Sequence, residues 1–388
     1  MTGPKLWANS GDSHLMEPPD LFQKRLPEHI AERMPRSVKD PDGQWETVYV
    51  DGQEFRRRMP KMPTDNLGNI DRSKLRNLDG TIGDRAPGAN DPHLRLKDLD
   101  QEGVWAEATY PSIGVWSYSI RTPEVVAAGA RAINDWAAEF QDVSPRFVVT
   151  AMIPLLDVGD AVAEVRRASR ELKMKATFLP IAPPFGRPPF AHEEWDPLWE
   201  AMEEEGMVLG FHVGTEPHTP DQRTGVYNTG RGGAIQNYVE TSYGAQKIAV
   251  SLISAGVFDR YPALKMLVSE GGATWGPFMA DRMDEAYRQH SAAVRPKLSK
   301  LPSEYLHTNV YASFQHDRSA VLANTAMGWQ NVVWGSDYPH TEGTFGHTQK
   351  TLHELFDDID PAASRRIRVG AFEELFPHVP PAPADEPA

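Results

Sequence analysis

Residues 332–340 read VVWGSDYPH: three apolar residues, a glycine and a serine that let the backbone turn, then an acid, Asp337, in a loop stiffened by Pro339. A short apolar run that stops at a polar, turn-forming stretch marks a buried strand ending in a loop. Working back along the chain, the same unit recurs. The runs are Leu6–Ala8 leading into Asp12 and His14, Val104–Thr109, Phe147–Ile153, Ala176–Leu179, Val208–His212, Lys265–Ser269 and Val310–Ser313, with Val332–Trp334 as the eighth. Between them, Pro123–Phe140, Ala161–Leu172, Trp195–Glu205, Ala234–Ala255 and Trp275–His290 carry apolar residues at helical spacing. Strands alternating with helices give an α/β chain with a parallel sheet. Eight consecutive units favour closure into a (β/α)8 TIM barrel over an open, doubly wound sheet.

The bulk numbers agree with one large barrel. At 388 residues and 40% hydrophobic content the chain can bury a sizeable core. It has no cysteine, which excludes disulfides, thiolate metal sites and cysteine nucleophiles. Its formal net charge of −14 argues against nucleic acid as a partner. No apolar run reaches membrane length and the start lacks a signal-peptide pattern, so a cytoplasmic enzyme with no membrane partner is expected.

Two stretches break the repeat. Residues 18–100 form a long polar insertion after the first strand, containing Arg56, Arg57 and Arg58, and read as a lid over the barrel mouth or an arm reaching another subunit. Such an arm fits a homo-oligomer or a hetero-oligomer with a homologous subunit. The barrel is expected to span 1–378, and the Pro- and acid-rich residues 379–388 to form a disordered tail.

Three strand ends carry groups that bind metals. Asp12 and His14 share a strand face because alternate side chains point the same way. His212 closes the run VLGFH, and Asp337 closes the eighth unit. A barrel puts all three ends on its C-terminal rim. Two carboxylates and two imidazoles with room left for water make a catalytic metal site. With no thiolate, the ion is expected to be Zn first, with Fe, Mn or Co as alternatives. Glu17, Glu270, His218 and His340 are candidates for the same rim, as further ligands or proton carriers. Arg56, Arg57, Arg58 and His340 are candidates for holding a small substrate's carboxylate.

The stretches DSHLMEPPDLF at 12–22, GFHVG at 210–214, SEGGATW at 269–275 and GSDYPHTEGT at 335–344 together resemble the amidohydrolase-related family, in the branch of aminocarboxymuconate-semialdehyde and hydroxybenzoate-type decarboxylases. The resemblance runs over essentially the whole chain. It implies that Asp12, His14, His212 and Asp337 are metal ligands and that Asp337 also takes a proton from metal-activated water. Two departures stand out. Many members open with H-x-H where this chain has Asp12, and the decarboxylases carry a histidine base where this chain has Glu270. Lys175 invites comparison with the bridging lysine of some members, but it lies at the beginning of its strand.

One essential ion is expected, with a second allowed. The leading expectation is a metal-dependent hydrolase acting on a small carboxylated or cyclic substrate, with Asp337, Glu270 and His218 catalytic. Non-oxidative decarboxylation of a small carboxylic acid, oxygenation at a dinuclear Fe/Mn centre, and an inactive structural subunit are the alternatives.

Overall fold

The structure is a computed structural model that describes residues 4–41, 45–58, 86–216, 230–340 and 342–386. Its main sheet is β1 (Ala8–Leu15), β5 (Val104–Pro111), β6 (Phe147–Met152), β7 (Ala176–Pro180), β8 (Val208–His212), β9 (Met266–Ser269), β10 (Val310–Phe314) and β11 (Val332–Trp334), parallel and hydrogen-bonded in that order. These are the eight expected strands. The sheet curls until its edges meet, where Ser13 bridges to Tyr338 in parallel and the Asp337 N–H donates to the Asp12 carbonyl at 2.8 Å. The fold is a (β/α)8 TIM barrel. β1 is longer than its apolar start suggests, so Asp12 and His14 lie within the strand.

Two layers of core hold the barrel. The larger packs the helices against the outside of the sheet. Helix Pro123–Gln141 shows why it forms: proline opens it, and Val125, Val126, Ala130, Ile133, Ala137 and Phe140 line the face turned to the sheet. The smaller core fills the barrel's lower bore. There Ala106, Ala108, Ala176, Val208 and Val333 are small enough to admit Phe372, Leu375 and Phe376 from the final helix and its end. Among the described residues no helix is long and apolar enough to cross a membrane.

The inserted segment is built rather than loose in its described parts. The antiparallel sheet β2 (Arg36–Lys39), β3 (Trp45–Val50) and β4 (Gln53–Arg58) buries Val48, Val50 and Phe55. The Phe55 ring lies 5.5 Å from Trp116, and Gln53 Nε2 donates to Ser119 O, which seats the sheet on the turn that follows β5. Residues 59–85 lie outside the described residues, and the lid or arm remains an expectation.

The tail departs from expectation. Residues 379–386 are packed: Val379 and Ala382 are buried, Trp105 Nε1 donates to Pro380 O, and Asp385 pairs with Arg368 at 2.7 Å while accepting from the Trp7 N–H. Composition suggested disorder, but partners from both ends of the barrel sequence hold the segment across its base.

Candidate metal centre

The C-terminal ends of β1 and β8 and the loop after β11 bring Asp12, His14, His212 and Asp337 together. His14 Nε2 lies 3.8 Å from Asp12 Oδ1 and 3.3 Å from Asp337 Oδ1. His212 Nε2 lies 3.3 Å from the same Asp12 oxygen. All four residues are buried. Local sequence sets this up. Gly11 lets β1 run against Val333, since a Cβ there would meet Val333 Cγ1 at 2.8 Å. Asp337 takes a left-handed backbone, φ 52, rare for a residue with a side chain. Strain of that kind costs of order 1–3 kcal/mol and concentrates at functional sites.

The donor atoms face one another rather than the rest of the protein's hydrogen-bond network. Both oxygens of Asp12 and Asp337, both nitrogens of His14 and Nε2 of His212 are buried without a well-formed hydrogen bond. Each such group costs roughly 1–3 kcal/mol, and a charged one more. His212 Nδ1 is 2.8 Å from the Val213 carbonyl and donates to it, which leaves Nε2, facing Asp12, as the nitrogen that would ligate an ion on losing its proton. A divalent cation among Asp12, His14 and His212 would answer a carboxylate oxygen and one nitrogen of each ring, with Asp337 beside it, and a mixed carboxylate and imidazole set suits a transition ion or manganese. The residues fit a bound metal.

Burial and crowding of like groups perturb the ring of titratable side chains. His14 is held well below its ordinary value, first by burial and then by His340 and His212. Burial also pulls His212 down, but Asp12 and Glu270 more than reverse it, to about 9. Burial, and next the Asp337 carboxylate, push Glu270 up to about 8.

The remaining candidates separate. Glu270, at φ 61, places its carboxylate 3.8 Å from His212 Nε2. His340 stacks on His14 at 4.0 Å and brings Nδ1 within 2.9 Å of Asp337. Two further groupings, His14–Asp337–His340 and Glu270–Asp337–Glu342, meet ligand spacing beside Asp12–His14–His212. Glu342 was not anticipated, because it sits in a loop with no local pattern.

Other candidates fall outside this cluster. Glu17 accepts the backbone N–H groups of Ser112, Ile113 and Gly114 and is used up in tying the loop after β5. Arg56 is exposed and paired with Asp40 at 2.7 Å, a surface contact rather than a pocket wall. Arg57 and Arg58 lie on β4, alongside it in the chain. His218 lies outside the described residues. Lys175 precedes β7 at the base of the barrel, near enough to His378 to help burial lower that imidazole's pKa. Tyr110 was missed. It ends β5, packs edge-on to His212 at 5.1 Å, and its hydroxyl lies 2.8 Å from Ser269 Oγ, which donates to the Gly11 carbonyl. The same strand-end rule that found His212 reaches Tyr110.

Known proteins resemble the chain in both sequence and fold. Over 268 residues it is 26% identical to the 2-amino-3-carboxymuconate-6-semialdehyde decarboxylase of Dictyostelium discoideum, covering 65% of this chain and 68% of that protein. The amidohydrolase map2389c of Mycobacterium avium subsp. paratuberculosis K-10 superposes with a TM-score of 0.73 at 20% identity, over 95% of this chain and 97% of that one. The 5-carboxyvanillate decarboxylase of Novosphingobium aromaticivorans, solved with manganese and 4-hydroxy-3-methoxy-5-nitrobenzoic acid, superposes at 0.64 with 17% identity over 96% of each chain. At those identities the two structures speak for the fold alone. The amidohydrolase family model matches residues 84–377, most of the barrel, and the chain is an enzyme belonging to the amidohydrolase family.

Proposed function

We propose that the chain is a metal-dependent, non-oxidative decarboxylase of a small carboxylic acid. The observation that carries this reading is the buried set Asp12, His14, His212 and Asp337, most of whose donor atoms make no well-formed hydrogen bond, with Glu270 beside it at the barrel mouth. The likeness to a curated decarboxylase supports it over the hydrolytic reading expected from the sequence.

A divalent ion in this set supplies a Lewis-acidic anchor for the carboxylate-bearing end of the substrate. Asp12, His14, His212 and Asp337 would hold it, and the Val213 carbonyl fixes the proton on His212 Nδ1 so that Nε2 is the nitrogen to ligate. Replacing CO2 by hydrogen requires one proton at the carbon that loses it. Glu270 stands where it can carry that proton. Asp12 and Asp337 balance one divalent charge, so an ionised Glu270 would repel an anionic substrate, whereas protonated Glu270 removes the repulsion and donates. The carboxyl thus takes the part that the family resemblance gives to a histidine. Manganese is the first ion to load, given its presence in the structurally similar decarboxylase.

The test loads purified protein with Mn2+ and offers a panel of aromatic and dienoic acids labelled with carbon-13 at the carboxylate. Labelled CO2 with a product one carboxyl smaller supports the proposal. Addition of water without CO2 release restores the hydrolytic reading, and oxygen uptake the oxygenase one. Metal content per chain bears on the groupings around Asp337. With one essential ion, Glu270→Gln keeps the metal and loses turnover; loss of an ion from a two-ion protein assigns Glu270 to a second metal.

A further inference from the structure

The helix Pro92–Glu102 supplies no ligand to the metal centre, yet it grips the chain beside two of them. The sequence makes a well-defined helix here. Asp91 caps its start by accepting from the N–H groups of His93 and Leu94, Pro92 opens it, and Gly103 ends it in the left-handed conformation. One turn apart on its inner face stand Arg95 and Asp98.

Arg95 is wholly buried. Its guanidinium binds Glu107 of β5 in a two-pronged pair at 2.6 and 2.9 Å, and Glu107 is also wholly buried. The third arm, NH1, donates to the carbonyl of His14 at 2.7 Å. The central carbon of the same group lies over the Tyr338 ring, 4.3 Å from its centre. Asp98 accepts from the Tyr338 hydroxyl at 2.5 Å and from the Gly88 N–H at 2.9 Å. The fit leaves no slack, since a Cβ on Gly88 would meet the Arg95 backbone at 2.3 Å and the Tyr338 hydroxyl at 2.8 Å.

What this helix holds is the closing seam of the barrel. The His14 N–H donates to the Tyr338 carbonyl at 2.6 Å, so the peptide units flanking His14 are fixed on one side by Tyr338 and on the other by Arg95. Tyr338 directly follows Asp337, whose left-handed backbone must be imposed by its surroundings. A buried ion pair is weak evidence for stability, because an apolar pair of similar volume commonly packs as well or better. An apolar pair cannot hold a backbone carbonyl. The charged pair therefore does something here that packing alone does not.

We propose that Arg95 and Asp98, with Glu107 behind them, are positioning residues for the metal centre: they clamp His14 and, through Tyr338, Asp337 at the ligand spacing. The clamp acts on metal capture and does not depend on which reaction follows. Groups that orient ligands from behind typically change metal affinity about 10- to 100-fold when removed.

The experiment measures Mn2+ affinity of metal-stripped protein by titration calorimetry against a competing chelator. The electron paramagnetic resonance spectrum of bound Mn2+ reports ligand geometry, and the melting temperature reports fold. Tyr338→Phe keeps the ring and loses the link to Asp98. Because Arg95→Met alone leaves Glu107 buried and unpaired, the matched change is the double variant Arg95→Met/Glu107→Leu. Both are expected to remain folded, bind Mn2+ about 10- to 100-fold more weakly, and alter its spectrum. Leu99→Ala, in the buried side of the same helix, is the control and is expected to lower the melting temperature with wild-type affinity and spectrum. The proposal is overturned if folded Tyr338→Phe and the double variant bind Mn2+ as wild type does. It is equally overturned if affinity simply follows melting temperature, so that Leu99→Ala weakens binding as much as they do. Arg95→Lys, which keeps the charge but not the fork, separates the two contributions. Restored affinity in that variant would overturn the role of the three-armed geometry.

Discussion

The two ends of the barrel bury charge in opposite ways. At the base, Arg368 is almost fully buried and each arm is employed: Nε on Ser364 Oγ at 3.0 Å, NH1 on the Trp7 carbonyl, and NH2 on Asp385 at 2.7 Å. The lower bore is filled with alanine, valine and phenylalanine. At the mouth, Asp12 and Asp337 are as deeply buried, yet none of their oxygens has a well-formed hydrogen bond. Satisfied charge stabilises one end, and unsatisfied charge is kept ready for an ion at the other. Damage at the base is therefore expected to unfold the protein, and damage at the mouth to silence it.

The sharpest test of that separation is Asp337→Asn. It removes one negative charge from a crowded mouth, so the melting temperature of metal-free protein is expected to hold or rise. Turnover is expected to fall on the order of 10²–10⁴-fold. An active, folded Asp337→Asn protein would break the comparison. The reciprocal change is Phe372→Ala, deep in the bore against Phe376 at 4.8 Å. Removal of a buried phenylalanine costs about 3–5 kcal/mol. Denaturant unfolding should show that loss, with Mn2+ affinity of the folded fraction unchanged.

A smaller effect comes from the ion itself. A ligand that binds only the folded chain adds about 2.7 kcal/mol at a hundred times its Kd. Melting temperature should rise with added Mn2+ in the wild type and fail to rise in Asp12→Asn. The smallest expected effect is an acid sensitivity at the base. Burial works to raise the Asp385 pKa, but Arg368 and the Trp7 N–H outweigh it and hold the folded value below 3.8. A depressed carboxylate stabilises above its unfolded pKa, and the contribution fades as pH falls from there through the folded value. Asp385→Asn should remove about 1 kcal/mol near neutral pH, given the side chain's partial exposure, and lose its effect in acid. An equal effect at both pH values would show that the pair is not what holds the tail.

What the sequence made legible is what local pattern encodes. Eight apolar runs with polar ends gave the barrel, and ligand-type residues at three of those ends gave Asp12, His14, His212 and Asp337. The misreadings share another cause. Glu17 looked like a ligand because it follows His14, but the amides that occupy it come from residues 112–114, which its own neighbourhood does not announce. Residues 379–386 have a disordered composition, yet a few long-range partners, Arg368 and Trp105 among them, are enough to order them. Arg95 escaped notice for the same reason. A lone arginine on a polar helix reads as solvated unless Glu107 is known to lie beneath it.

The closing seam has a consequence for how the protein comes into being. Ser13 and Ser336, 3.1 Å apart across it, are 323 residues distant in the chain. His14 and Asp337 therefore meet only when the last strand docks on the first, so a nascent chain lacking its final strand has Asp12, His14 and His212 but not Asp337. Contacts of such separation form late, after the loop-closure cost of most of the chain has been met. An ion that needs Asp337 would then be held only by a nearly finished molecule, and the completed geometry, rather than the first metal to meet the emerging ligands, would choose it.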